Sequence, residues 1–320
     1  MHDLRAANDL LGDPGRLHDR LTQDGYLFLR NVIDAADVTR VRGDLLSWCH
    51  AQGLVSSPAS TIWSGYAPPG LVSQPEDLHA MGMAPWLFAR PSLQNLIRQL
   101  LDEEPFLLPI NEYHFTWPGK AVPVGIHQDG VGSNNMGFSV FWIPLVEITP
   151  ELGGIEIAVG QHTRGHLHPI PGLPHPYIPS GSLPADSWAR ATYRPGDVLV
   201  IDQMTPHRGL PNSSDRLRLS IDIRVLPAST PPPAIGIVVR ITATSLTLRT
   251  QDGTEVCLLH DEATIVRGEN ARQTAPAEIT DYLGKPAIVA HEDGRATLVR
   301  RPQGGAAALT SGTRAAGHPS

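Results

Sequence analysis

The chain has 320 residues, 41% of them apolar, and a formal net charge of -7. This composition is typical of a globular protein with a sizeable core, and the lack of long Lys and Arg runs argues against nucleic acid or an anionic membrane as partners. The two cysteines, Cys49 and Cys257, have neither zinc-site nor disulfide spacing. With no signal-peptide pattern and no stretch of about 18 apolar residues, we expect a cytoplasmic protein that acts on a small molecule.

The N-terminal third is predicted to be mainly helical. After "DGYLFLRNVI", which alternates like a short strand, Asp34 is a candidate N-cap for an amphipathic helix that ends at Gly53. Residues 54–85 are rich in Pro, Gly and Ser and predict a long loop, interpreted as a lid over a pocket. A second helix is predicted to begin at Pro91.

Short strands dominate from Pro105 to Leu226, including "FLLPINEYHFTW", "GFSVFWIPLVEI", "GGIEIAV", "DVLVID" and "RLSIDIRVL". Several short strands at this spacing predict an antiparallel sandwich or barrel. Residues 1–230 are therefore expected to form one mainly β domain with flanking helices.

The proline-rich segment "PASTPPPA", residues 227–234, predicts an extended linker between two domains. Residues 233–301 are predicted to form a small closed β-barrel of about five strands, and this barrel is the expected surface for homo-oligomer contacts. Residues 302–320 lack an apolar period and are expected to be a disordered tail.

The stretch "GIHQDGVG" places His127 two positions before Asp129, a pattern that a chain with 14 histidines produces by chance roughly once. What makes it informative is His207, 80 positions later at the far end of the same β-rich region. The pattern His291-Glu292-Asp293 lies in a predicted hairpin and has no such partner. His127, Asp129 and His207 are thus the candidate metal ligands.

Two imidazoles and one carboxylate make the facial triad of non-haem Fe(II) oxygenases, which leaves positions for a chelating co-substrate and O2. A dianion such as 2-oxoglutarate needs a cation for its distal carboxylate, and Arg218, 11 residues after His207, is the candidate. Arg216 competes for this role, because it shares a strand face with Arg218 in "RLRLSIDI".

Over residues 15–226 the sequence resembles the phytanoyl-CoA dioxygenase family of Fe(II)/2-oxoglutarate oxygenases. The similarity rests on "LTQDGYLFLRNVIDAADVTRVRGDL", "HQDG", "FSVFWIPLVEITPELGGIEIAVGQHTRGH" and "YRPGDVLVIDQMTPHRGLPNSSDRLRLSI", in that order. The resemblance implies a double-stranded β-helix (jelly-roll, cupin-like) core. It also implies iron held by His127, Asp129 and His207, and 2-oxoglutarate anchored by Arg218.

By the same resemblance, Gln128, Trp142 and Tyr113 line the 2-oxoglutarate site; the alternative is that Trp142 and Tyr113 are ordinary core aromatics. His114 should point away from Tyr113 across the strand and is left outside the site. The sequence departs from the family pattern at Trp117 and Gly209, and the C-terminal barrel is not part of that pattern. The histidines of "GQHTRGHLHPIPGLPHP" are interpreted as a polar loop and not as a second metal site.

The expected reaction is hydroxylation of an unactivated C–H bond of a small metabolite of secondary metabolism, with release of succinate and CO2. Desaturation, cyclisation or epimerisation can follow from the same hydrogen abstraction, whereas Asp129 argues against halogenation, which needs its coordination position. The alternative from another class is a non-catalytic jelly-roll binding protein. Because residues 233–301 supply no His, Asp or Arg to the proposed constellation, the barrel is expected to be dispensable for the iron chemistry.

Overall fold

The computed structural model describes residues 2–120, 125–134, 136–170, 177–268, 273–274, 276–306 and 309. Its α-helices are α1 (Pro14–Asp24), α2 (Ala35–Ala51), α3 (Glu76–Ala80), α4 (Met83–Phe88), α5 (Pro91–Leu101) and α6 (Asp129–Gly132). Its strands are β1 (His2–Asp3), β2 (Tyr26–Leu29), β3 (Pro105–Leu107), β4 (Glu112–Thr116), β5 (Ser139–Pro144), β6 (Gly154–Ala158), β7 (Trp188–Arg190), β8 (Val198–Asp202), β9 (His207–Leu210), β10 (Arg218–Pro227), β11 (Ala234–Ile241), β12 (Ser245–Arg249), β13 (Glu255–Leu259), β14 (Ile265–Arg267), β15 (Gln273–Thr274), β16 (Pro286–Glu292) and β17 (Arg295–Arg300).

Two sheets form the β core of the first 230 residues. One sheet has the strand order β1-β7-β6-β9, and the other has β2-β8-β5-β10-β3, with β4 also paired to β10. Strand β10 is ten residues long and pairs with β5 along one edge and with β4 and then β3 along the other. This mainly β arrangement with flanking helices agrees with the sequence prediction.

The helices α2 and α5 form where the sequence predicts them. Helix α2 buries Val38, Val41, Leu45 and Trp48, and α5 begins at Pro91, where the missing N–H of proline costs no helical hydrogen bond. The predicted loop 54–85 is more regular than expected, because it contains α3 and the start of α4. Within the described residues, no helix is both long and apolar enough to cross a bilayer.

The C-terminal unit is a seven-stranded sheet of order β13-β12-β11-β16-β17-β14-β15, with an additional pairing between β13 and β17. The described part of this unit therefore has seven strands, whereas the sequence predicts about five. The two predicted hairpin turns are confirmed. Gly253 has a φ of 86° between β12 and β13, and Asp293 and Gly294 have φ values of 47° and 75° between β16 and β17.

Strands β16 and β17 bury both of their faces. One face contributes Val289 and Val299 to the core of the C-terminal unit. The other face contributes Ile288, Ala290 and Leu298 to the core of the first 230 residues. The two units therefore share an apolar interface, and the linker does not hold them apart.

The first residues of the tail that is predicted to be disordered are packed against the rest of the protein. Pro302 is buried, the Gln303 side chain donates to Glu112 Oε1 at 2.7 Å, and Gly304 lies against the ring of His79. Residues 307, 308 and 310–320 lie outside the described residues, so the remainder of that prediction is not addressed.

Leu298→Ala should destabilise the whole protein by about 2–5 kcal/mol, because it leaves a cavity between the two units. Urea unfolding followed by circular dichroism measures this loss, and Leu298 is fully buried. The control is Leu259→Ala at the exposed end of β13, where the side chain is 49% exposed and the change should be within about 0.5 kcal/mol. Equal effects of the two substitutions would contradict the shared core.

Candidate functional site

Polar side chains line one face of the pair β4 and β10. On β10 they are Arg218, Ser220, Asp222 and Arg224, and the residues in register with the first three on β4 are Thr116, His114 and Glu112. All four β10 side chains are buried. Because successive side chains of a strand alternate between faces, this polar set is turned to one side and the apolar residues between them to the other.

The two predicted histidine ligands are held side by side by backbone pairing. His127 and His207 form an antiparallel bridge in which each N–H donates to the other carbonyl at 3.0 Å, and their rings are 4.2 Å apart between centroids. Asp129 joins them, with Oδ1 at 3.7 Å from His127 Nε2 and Oδ2 at 4.0 Å from His207 Nε2. Three donor atoms of these residues lie within 4.8 Å of one another, close enough to coordinate one ion.

Backbone carbonyls orient both imidazoles. His127 Nδ1 lies 2.9 Å from the carbonyl of Gly125, and His207 Nδ1 lies 3.0 Å from the carbonyl of Thr205. A proton on Nδ1 in each ring leaves Nε2 free as a metal ligand. Burial, followed by the neighbouring His207, lowers the pKa of His127 to about 4, so the neutral, ligating form predominates. This donor set fits ferrous iron.

Asp129 is kept ionised by its surroundings. Burial alone would raise its pKa, but the Arg224 guanidinium, whose Nη2 lies 3.3 Å from Asp129 Oδ1, and then the two histidines hold the pKa well below its usual range. Arg224 also donates to the carbonyl of Ile110 at 2.5 Å and to Glu112 Oε1 at 3.3 Å. The carboxylate is therefore available to a metal at any ordinary pH and is oriented by a buried cation.

A second polar cluster adjoins the triad and was missed in the sequence. His114 Nε2 lies 3.1 Å from Asp222 Oδ2 and 3.8 Å from Glu112 Oε2. Burial opposes protonation of His114, yet the pKa of this histidine is raised, because Asp222 and Glu112 favour the charged imidazolium. The alternation in "RLSIDIRVL", continued past Ser220, would have indicated Asp222 and Arg224.

Arg218 and Arg216 are in different environments. Arg218 is buried and donates from Nη1 to the carbonyls of Gly154 and Leu210 at 3.1 and 3.0 Å, while its Nε has no partner. Burial lowers its pKa to about 10, which leaves it charged at neutral pH. The Arg216 side chain is 60% exposed beside Asp215. Of these two arginines, Arg218 is the one whose side chain is turned into the protein, which favours it as the anchor of an anion.

Comparison with known proteins identifies the family. The family model of phytanoyl-CoA dioxygenase (PhyH) matches residues 21–220. The chain belongs to the phytanoyl-CoA dioxygenase family. It is accordingly a non-haem Fe(II)- and 2-oxoglutarate-dependent oxygenase of the hydroxylase type.

Curated relatives and solved structures agree with this assignment. A 1-deoxypentalenic acid 11-beta-hydroxylase of Streptomyces arenae is 28% identical over 260 residues, which cover 71% of this chain and 86% of the relative. The apo structure of the non-heme monooxygenase ThoJ is 18% identical with a TM-score of 0.51, covering 66% of this chain and 77% of that chain. The epimerase SnoN with Fe3+, alpha ketoglutarate and nogalamycin RO is 21% identical with a TM-score of 0.50, covering 68% and 84%. The two structures show a shared fold.

Tyr113 does not lie in the site, contrary to the expectation from the family resemblance. It occupies the opposite face of β4 from His114, where its hydroxyl accepts from Ala84 N–H at 3.0 Å and its ring packs on His79. Phe115 shares this face and packs on Trp48 of α2. The helix layer covers that face, so Tyr113 is a core aromatic, and His114, which the sequence analysis left out, is turned toward the polar cluster.

The other two residues assigned to the co-substrate, Gln128 and Trp142, lie in different environments. The Gln128 amide is saturated by the backbone, because Nε2 donates to the carbonyls of Gly165 and Met204 and Oε1 accepts from Leu167 N–H. These contacts tie Gln128 to the loop after β6 and to the segment between β8 and β9, and they leave no side-chain N–H to donate to 2-oxoglutarate. Trp142 is buried in register with Asp222 and packs edge-on to Tyr193 at 4.7 Å, on the polar side of the sheet.

The remaining histidine patterns have ordinary polar surroundings. His162 Nε2 lies 2.9 Å from the carbonyl of Thr22, and His166 and His168 are exposed with their rings 6.5 Å apart. His175 lies outside the described residues. His291 precedes the exposed turn of the β16–β17 hairpin.

Tyr113→Phe should lower the free energy of unfolding by about 1–3 kcal/mol, because the buried Ala84 N–H loses its acceptor, and should leave the KM for 2-oxoglutarate unchanged. Urea unfolding and co-substrate titration measure the two effects. Tyr66→Phe is the control, since Tyr66 is 53% exposed and neither quantity should change. A sharp rise in KM for Tyr113→Phe would return Tyr113 to the co-substrate site.

Proposed function

We propose that this chain hydroxylates an unactivated C–H bond of a small metabolite, with iron held by His127, Asp129 and His207 and 2-oxoglutarate anchored by Arg218. The observation that carries the proposal is the convergence of these three donors, each already oriented by the protein. A non-catalytic jelly roll would have no need of a complete ligand set. The retained carboxylate of Asp129 argues against halogenation.

Iron with 2-oxoglutarate and O2 supplies the oxidation of the C–H bond, coupled to conversion of 2-oxoglutarate into succinate and CO2. The protein's own residues position the reactants. Arg218 donates to the carbonyl of Leu210. Leu210 is three residues beyond His207, which is about 10 Å along β9. This separation supports a dicarboxylate that binds the metal at one end and Arg218 at the other. Trp142 and Tyr193 provide an apolar, water-excluding wall on the polar side of the sheet.

The substrate class is proposed from the curated relatives. Two 1-deoxypentalenic acid 11-beta-hydroxylases, 28% and 27% identical to this chain, act on a carboxylic acid by their names. We therefore favour a small carboxylic acid of secondary metabolism. Desaturation, cyclisation or epimerisation of such a compound are outcomes that product analysis would reveal.

The C-terminal unit is proposed to be a separate small barrel domain within residues 233–301, with residues 1–230 as the double-stranded β-helix domain. The pairing of β13 with β17, which joins the two ends of the order β13-β12-β11-β16-β17, supports closure. Homo-oligomer contacts through this unit stay a prediction, for which light scattering on the purified protein is the measurement.

Wild-type enzyme with Fe(II), ascorbate, 2-oxoglutarate and 1-deoxypentalenic acid or related acids should form succinate and a product heavier by one oxygen atom in mass spectrometry. His127→Ala or His207→Ala should abolish both, because each removes one of only three protein ligands, and should lose bound iron. His166→Ala, which removes an exposed histidine, is the control. Wild-type turnover with iron retained in either ligand variant would refute the assignment.

Arg218→Met should raise the KM for 2-oxoglutarate roughly 30-fold or more, since truncating one partner of a buried charge-assisted pair costs about 2–5 kcal/mol. Iron affinity without co-substrate should stay near that of the wild type. The matched control is Arg216→Met, which removes the same charge from an exposed position and should change neither quantity. A larger effect at Arg216 would transfer the anchoring role to that residue.

A further inference from the structure

Arg300 projects from the C-terminal unit into the oxygenase part of the chain. It is the last residue of β17, in register with Ile288 of β16. Ile288 and Leu298, on the same face, belong to the main hydrophobic core. The Arg300 side chain is therefore turned away from the interior of its own unit, and its Nη1 donates to Ser133 Oγ at 3.2 Å. Ser133 follows α6, the short helix that begins with Asp129.

The charge of Arg300 has no close counterion. The residue is 9% exposed, its Nε has no hydrogen-bond partner, and no carboxylate of the described residues lies within ion-pair distance. Burial and then the neighbouring Arg224 lower the pKa of Arg300 to about 10, and Arg267 also disfavours its charge, so the guanidinium is charged but poorly compensated. A buried charge of this kind is costly unless an anion comes to it.

The nearby carboxylates are committed elsewhere. Asp129 and Glu112 both accept from Arg224, and Glu112 also accepts from Gln303 Nε2 at 2.7 Å. Asp129 is in addition the proposed iron ligand. Glu112 is close enough to favour the charge on Arg300 electrostatically, but it does not form an ion pair with it. Among the described residues around Arg300, no carboxylate therefore serves as its counterion.

We propose that Arg300, with Ser133 beside it, binds the carboxylate of the substrate at the junction of β17 and α6. This inference rests on the proposed function and assigns its substrate class as a carboxylic acid. The co-substrate is not the anion concerned, because its distal carboxylate is assigned to Arg218 and its other end to the metal. Solvent reaches the polar face next to Arg300, since the Glu112 and His114 side chains are 26% and 23% exposed.

The arrangement makes the C-terminal unit part of the active site. On this proposal the unit contributes an arginine to substrate binding, whereas the residues assigned to iron and to 2-oxoglutarate all belong to residues 1–230. Arg267, at the end of β14, also reaches the same segment and donates to the carbonyl of Val131 within α6 at 3.1 Å. Substrate bound at Arg300 would be held next to the short helix that carries Asp129.

The test uses the full-length enzyme loaded anaerobically with Fe(II) and 2-oxoglutarate, and cyclohexanecarboxylate and its methyl ester as probes. Isothermal titration calorimetry measures probe binding, and the visible Fe(II)–2-oxoglutarate charge-transfer band independently reports the loaded site. Variants are Arg300→Met and Arg300→Lys. The control is Arg295→Met, on the same strand but with a side chain 53% exposed.

Wild type and Arg295→Met should bind the acid in the millimolar range or tighter and discriminate against the ester. Arg300→Met should weaken acid binding roughly 30-fold or more, to the level of the ester, with ester binding and the charge-transfer band unchanged. Arg300→Lys should restore part of the acid preference, because it retains the charge without the planar fork. If Arg300→Met does not fold, Ser133→Ala replaces it and should weaken acid binding in the same direction.

Equal affinity of wild type for acid and ester, no acid binding by wild type, or undiminished acid binding by folded Arg300→Met would each overturn the proposal. A wild-type enzyme without the charge-transfer band would instead count against the proposed function. Calorimetry of the acid does not depend on that band, so the two failures can be told apart.

Discussion

The buried ion pair between Arg224 and Asp129 connects the central strand of the fold to the proposed metal site. Arg224 lies near the end of β10, the strand that pairs with three others, and Asp129 opens the short helix after His127. Neither charge would be tolerated in this interior alone, because an uncompensated buried ion costs several kcal/mol. Burial of Arg224 therefore requires the segment that carries Asp129 to pack against β10, so the core and the proposed site depend on each other.

The same requirement explains how the proposed metal site is already ordered in the protein alone. Asp129 is oriented by a guanidinium, and each imidazole is oriented by a carbonyl two residues before it in the chain, Gly125 for His127 and Thr205 for His207. The bridge between His127 and His207 then sets the distance between the rings through the backbone. Ligands that are held in this way lose little freedom when an ion binds, which is the advantage of a preorganised site.

The sequence alone was sufficient for the family, for α2, α5 and the β-rich region that follows them, and for the convergence of His127, Asp129 and His207. It was not sufficient to decide which face of β4 is turned inward. The segment "EYHFT" alternates between Tyr113 and Phe115 on one side and Glu112 and His114 on the other, and both pairs suit a buried site. A period of two separates the faces but does not say which one meets the helices. Only the packing of Trp48 on Phe115 and of His79 on Tyr113 decides it.

The interface between the two units could not be predicted from the sequence, for a related reason. Strand β17, "RATLVR", carries an arginine at each end, and nothing local distinguishes them. Arg295 lies at the hairpin and pairs with Asp261 near the surface, while Arg300 is buried against the oxygenase core. Their difference arises from Leu298, Ile288 and Ala290, which bury one face of the hairpin against the first unit and bring Arg300 with it. An apolar docking surface thus determines where a charge is placed, and a unit outside the family pattern contributes a cation beside the short helix that begins with Asp129.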